Sequence, residues 1–174
     1  MITAIEIENF KAFGKRQRIE LKPITLLFGP NSAGKSTIIQ ALHYAYEVLV
    51  NRNLDVGRTA LGGDYVDLGG FCNIVYEHDT SQAIRLRFEL DFDDREWPTY
   101  AEYFLRHEQQ LEAIETKVRD TSNAWIELAV RWNERDNAAY VAEYSVGLDG
   151  QPLATLKNFG VKAKTVITNV NTRH

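Results

Sequence analysis

The spacing of apolar positions changes character several times along this chain, and each change predicts an element. Ile2, Ala4, Ile5 and Ile7 alternate loosely with polar residues, predicting a first strand that ends at the turn Asn9-Phe10-Lys11-Ala12-Phe13-Gly14. Arg18 to Leu21 predicts a returning strand, and Pro23 breaks it. The next run, Ile24-Thr25-Leu26-Leu27-Phe28, is apolar on both alternating sets, the pattern of a strand buried on both faces. From about Gly34 to Val50 the period lengthens. Ile38, Ala41, Leu42, Ala45, Val48 and Leu49 recur at i, i+3, i+4, which predicts a helix with one apolar side, and His43 and Tyr44 read as packing residues on it.

Downstream the pattern is mostly that of strands. Gly62 to Phe71 reads as a glycine-rich loop with a short strand and no helix-forming run after it. Ala83 to Phe92 alternates cleanly, with Ile84, Leu86, Phe88, Leu90 and Phe92 opposed to Arg85, Arg87, Glu89 and Asp91, which predicts a half-buried strand. Asp91, Asp93, Asp94 and Glu96 then make an acidic strand end, solvated or able to hold a metal. Pro98 to Val118 has a helical seam of Phe104, Leu111, Ile114 and Val118. Trp125 to Trp132, Ala139 to Leu148 and Pro152 to Leu156 read as antiparallel strands, the last two joined by the hairpin signal Asp149-Gly150. Val166 to Val170 is a further apolar segment with no obvious partner.

The junction between the buried run and the first helix carries the chemistry. Gly29-Pro30-Asn31-Ser32-Ala33-Gly34-Lys35-Ser36-Thr37 satisfies the phosphate-loop pattern of a glycine, four residues, then Gly-Lys-Ser, in the required strand-to-helix context. Gly29 and Gly34 let the backbone curl until successive N–H groups converge, and the positive end of the helix reinforces that concavity. Pro30 removes a donor only outside it. Lys35 can reach β- and γ-phosphate oxygens as a point charge, the Ser36 hydroxyl can ligate Mg²⁺, and Thr37 is placed toward the α-phosphate. The ligand expected is therefore ATP with Mg²⁺, and Lys35 is the candidate catalytic residue. The bland alternative is a glycine-rich helix cap with a solvated lysine.

Composition narrows the setting. The chain has 174 residues, 44% hydrophobic and 11% aromatic, enough for a core, with no repeat, linker or low-complexity segment. Cys72 is the only cysteine, so neither a disulfide framework nor a zinc cluster is available, and it reads as a small buried residue or inert thiol. No apolar run approaches the roughly 18 residues that cross a bilayer and no leader pattern opens the chain, so the expectation is a cytoplasmic protein without a membrane partner. Net charge is −4, with residues 1–50 holding six Lys/Arg against four Asp/Glu. This excludes a wholly basic nucleic-acid surface, although Lys11, Lys15, Arg16, Arg18 and Lys22 could form a local basic face or a solvated hairpin.

Taken together, Ile5-Glu6-Ile7-Glu8-Asn9-Phe10-Lys11-Ala12-Phe13, the loop opening Gly29-Pro30-Asn31 and the helix Ser36-Thr37-Ile38-Ile39-Gln40-Ala41-Leu42 resemble the amino-terminal lobe of ABC-type ATPase heads. The relatives are the structural-maintenance-of-chromosomes, RecF-like and overcoming-lysogenisation-defect ATPases. Asp67-Leu68-Gly69-Gly70-Phe71 further resembles a bacterial group of stand-alone AAA-type ATPases, several of which serve in anti-phage systems. The resemblance covers residues 1 to about 90 well and the rest only in architecture. It implies an α/β fold of the P-loop NTPase class, with a mixed β-sheet around the phosphate-loop helix. Residues 1–50 would form the P-loop core, and residues 51–174 a strand-rich antiparallel lobe with one inserted helix near 98–118.

The resemblance also implies that Lys11 lies near bound nucleotide, where it could contact phosphate or ribose. Relatives complete the site with an apolar strand ending in Asp-Glu, a Ser-Gly-Gly signature loop from a second subunit and a late switch histidine. None of these is visible here, so the expectation is an amino-terminal part whose carboxy-terminal lobe is missing and which alone is inactive. The function implied is an ATP-binding ATPase that forms a homodimer or higher oligomer through nucleotide and gates a nucleic-acid-directed activity. A nuclease or toxin effector subunit is the implied partner. The competing reading is a non-catalytic, nucleotide-stabilised scaffold module. A GTPase or small-molecule kinase fits less well, because no Asn-Lys-x-Asp guanine reader and no substrate lid is present.

Overall fold

A computed structural model describes residues 1–31, 33–54, 67–92 and 121–170. The chain order is β1 (Ile2–Glu8), β2 (Gln17–Glu20), α1 (Lys35–Tyr46) with a π-helical turn at Glu47–Asn51, and the short α2 (Phe71–Ile74) with a 3₁₀ turn at Tyr76–His78. Then follow β3 (Ile84–Asp91), β4 (Asn123–Asn133), β5 (Ala138–Leu148), β6 (Gln151–Lys157) and β7 (Val166–Val170).

The seven strands form one sheet in the order β2-β1-β3-β4-β5-β6-β7, and every ladder is antiparallel. Alternation explains its two faces. Ile5, Ile7, Ile84, Leu86, Phe88, Leu128 and Val130 point into a core closed by Ile38, Ala41, Tyr44, Ala45 and Val48 of the first helix and by Phe71, Ile74 and Val75. Aromatic stacking links the layers: Phe10 lies on Tyr44 and Phe71 on Trp132, each pair with ring centroids 5.8 Å apart. Asp149 and Gly150 both take positive φ, 46° and 77°, as the tight β5–β6 turn requires.

The opposite face is polar and holds a network of ion pairs. Arg16 bonds Glu6 at 3.1 Å, Glu8 at 2.9 Å and Glu127 at 2.8 Å, which joins β1 to β4 across the intervening β3. Arg18 grips both carboxylate oxygens of Glu89, at 3.1 and 2.7 Å, and also reaches Glu20. The basic face considered for Lys11, Lys15, Arg16, Arg18 and Lys22 is thus not a free cationic surface, because its two arginines are neutralised by neighbouring strands.

Four expectations need correction. The mixed sheet is replaced, among the described residues, by an antiparallel one, because Ile24–Phe28 forms no strand. The run has no backbone hydrogen bond to another described residue, and Ile24 and Phe28 are 82% and 86% exposed. Without neighbouring strands an apolar run has no ladder to join. Val166–Val170 does have a partner, pairing with β6 through Leu156↔Ile167 and Lys157↔Val166. A short helix, α2, follows Gly70, since Gly69 and Gly70 at positive φ turn the chain to bury Phe71 and Ile74. Cys72 is exposed, which corrects the reading of it as a small buried residue. The helix expected near 98–118 and the acidic residues Asp93, Asp94 and Glu96 lie outside the described residues. No described helix is long and apolar enough to cross a membrane.

Candidate nucleotide-binding site

The loop between Phe28 and the first helix has the backbone its glycines predict. Gly29 has φ 148° and Gly34 φ 88°, and Gly34 occupies the left-handed region immediately before the helix starts at Lys35. Ala33 N–H donates to the Pro30 carbonyl at 3.3 Å, closing the bend. No side chain caps the helix. The backbone N–H groups of Gly34, Lys35 and Thr37 have no acceptor among the described residues, which leaves unsatisfied donors at the positive end of the helix.

Lys35 lies across this bend. Its ammonium donates to the Gly29 carbonyl at 2.7 Å and to the Pro30 carbonyl at 2.6 Å, bracing the loop with two of its three N–H bonds. Ser36 is exposed, whereas Thr37 is buried at the same turn. Asn31 and Ala33 are exposed along the loop; Ser32 lies outside the described residues. A polyphosphate fits this donor set: amides without an acceptor among the described residues, an ammonium in a glycine-flanked bend and an accessible hydroxyl. Among the described residues no group of three His, Cys, Asp or Glu side chains stands together. Mg²⁺ here would therefore be held by Ser36 with phosphate oxygens and water, a coordination this ion accepts.

Lys11 reaches the same helix through Gln40. The turn that carries it is tightly determined: Phe10 and Phe13 exchange both backbone hydrogen bonds at 2.9 Å, and Lys11 N–H donates to Ile74 at 2.7 Å. The buried Asn9 side chain donates to the Ala83 carbonyl at 3.3 Å. The Lys11 ammonium donates to Gln40 Oε1 at 3.0 Å, and partial burial holds its pKa below the usual lysine range. Gln40 was not singled out by sequence reasoning, since its contact joins residues 29 apart in the chain. Its spacing of four from Ser36, which puts both on one side of the helix, was the available signal.

With the loop geometry established, comparison with known proteins places the chain. The profile of a family described as an AAA domain matches residues 4–149, most of the sequence. The chain belongs to the AAA domain family. A second similarity is to the chromosome partition protein Smc of Gloeobacter violaceus, 43% identical over 54 residues, or 30% of this chain. The match spans 5% of the length of that relative. Within this AAA domain the phosphate loop is the feature that suggests nucleotide binding.

Proposed function

We propose that this AAA domain is the amino-terminal lobe of an ATP-binding ATPase head that closes around nucleotide with a second copy and gates a nucleic-acid-directed activity. The observation that carries the reading is the Gly29–Ser36 bend, with amides that have no acceptor among the described residues and Lys35 braced across it. Bound ATP with Mg²⁺ would supply the reactive γ-phosphoryl group and the charge needed for in-line attack by water, releasing ADP and phosphate. The chain's own contribution is to hold the phosphates on the loop amides, counter developing charge with Lys35 and seat the metal at Ser36.

The exposed run Ile24–Phe28 supports a second lobe. It is apolar on both alternating sets, its backbone has no partner among the described residues, and Ile39, Leu49 and Val50 of the helix and the turn after it are exposed as well. A strand laid on each edge and an apolar layer on each face would satisfy it. The likeness of Asp67-Leu68-Gly69-Gly70-Phe71 to anti-phage ATPases is the support for a defence setting with a nuclease or toxin partner.

A scaffold role without hydrolysis remains the second reading. It is favoured by one fact: among the described residues no carboxylate contacts Lys35 or Ser36 to orient water. Sedimentation of the full chain with and without Mg·ATP tests the proposal. Nucleotide-dependent dimerisation that Lys35→Ala abolishes is expected, and an unchanged mass in both would overturn it. If the dimer forms and the complete head releases no phosphate, the scaffold reading stands in its place.

A further inference from the structure

We infer that Gln40 is a positioning residue that holds the Lys11 ammonium beside the first turns of the phosphate-loop helix, where it serves as a second cation for the polyphosphate. The inference rests on the nucleotide reading above and adds a residue to it.

Three observations carry it. The first is that the turn bearing Lys11 is strained and yet held rigidly. Asn9 and Lys11 have φ of 55° and 50°, in the left-handed region that non-glycine residues other than Asn and Asp rarely enter. Hydrogen bonds to Gly14, Ile74, Ala83 and Tyr76 fix the turn, and the Phe13 ring packs against Gly34 of the phosphate loop itself. A chain that maintains such a conformation against the loop fixes the origin of the Lys11 side chain relative to it.

The second observation is placement. Gln40 stands about one helical turn beyond Ser36, about 6 Å along the axis, so an ammonium anchored there lies within a side-chain swing of the helix start. The third is charge. Lys11 forms no ion pair among the described residues, in contrast to Arg16 and Arg18, whose guanidinium groups are met by carboxylates. An amide can orient an ammonium without neutralising it, whereas a carboxylate at position 40 would consume its charge. Lys11 is thereby kept part-desolvated and, among the described residues, uncompensated, on the helix whose first turn belongs to the proposed anion site.

A double-mutant cycle on the full chain tests this, with Mg·ATP affinity measured for wild type, Lys11→Met, Gln40→Ala, Gln40→Glu, the Lys11→Met/Gln40→Ala double variant and Lys35→Ala. Lys11→Met should weaken binding by roughly tenfold, the scale of one hydrogen bond to a charged group. Gln40→Ala should weaken it by a smaller factor and add nothing in the Lys11→Met background. Gln40→Glu, which keeps the tether and cancels the charge, should weaken it as much as Lys11→Met does. Unfolding midpoints of the variants establish that they are folded. Equal losses from Gln40→Ala in both backgrounds would mean a merely structural role and overturn the inference. So would wild-type affinity in both single variants while Lys35→Ala abolishes binding, and that result leaves the nucleotide reading intact. Wild-type binding insensitive to Lys35→Ala would instead sink both.

Discussion

Phe13 packs against Gly34: a Cβ at the glycine would lie 3.1 Å from the ring Cζ, and Gly34 already has φ 88°. The hairpin turn after β1 and the phosphate loop are therefore one packed unit, although 21 residues separate these two positions. Gly34→Ala should destabilise the fold by about 1–2 kcal/mol through the left-handed backbone alone. It should also push the Phe13 ring aside. Chemical denaturation would measure the first effect and Mg·ATP titration the second. A variant as stable and as tightly binding as wild type would contradict this coupling.

Across the sheet's polar face, Arg18 holds Glu89 by both oxygens, and the hydrogen bonds from Arg18 keep the Glu89 carboxyl below its usual range. A carboxyl whose folded pKa is depressed stabilises the fold fully above its unfolded value and loses that contribution as pH falls through the folded one. Both side chains are partly exposed, which limits the contribution to below about 1 kcal/mol. The stability difference between wild type and Arg18→Met should thus be constant near neutral pH and shrink progressively once acidification passes below the usual glutamate range, about 4.3. A difference that grows toward acid would refute the assignment.

Trp125 lies over Gly147 so closely that a Cβ there would be 2.2 Å from the indole Cε2, and Arg87 sits 4.1 Å from the same ring's centroid. Gly147→Ala must displace the indole from β5 and its cation, at a cost of about 1–3 kcal/mol. Unfolding curves should register the loss and intrinsic fluorescence the moved ring. Trp125→Phe serves as the spectral control. Unchanged emission and stability would show that the ring is not held there.

Much of this fold was legible because its signals are local. The alternation of Ile84 to Leu90, the Asp149-Gly150 turn and the apolar face of α1 each depend on residues within a few positions. Ile24–Phe28 was read as a buried strand because its side chains ask for burial, yet a ladder needs partners that the run itself cannot specify. The phosphate loop was readable for the same local reason. Lys11 could be named only through resemblance, and the tether to Gln40 not at all, since both depend on which distant segments the sheet brings together. The three-way grip of Arg16 on Glu6, Glu8 and Glu127 was hidden likewise.

The central claim is that the bend from Gly29 to Ser36 binds a triphosphate through its amides and Lys35. Calorimetric titration of the 1–174 chain with Mg·ATP, alongside Lys35→Ala, tests it most directly. The account predicts weak, saturable binding with negligible turnover in the wild type and no measurable binding in the variant. Equal heats from both proteins, or turnover that this chain sustains alone and loses with Lys35→Ala, would contradict it.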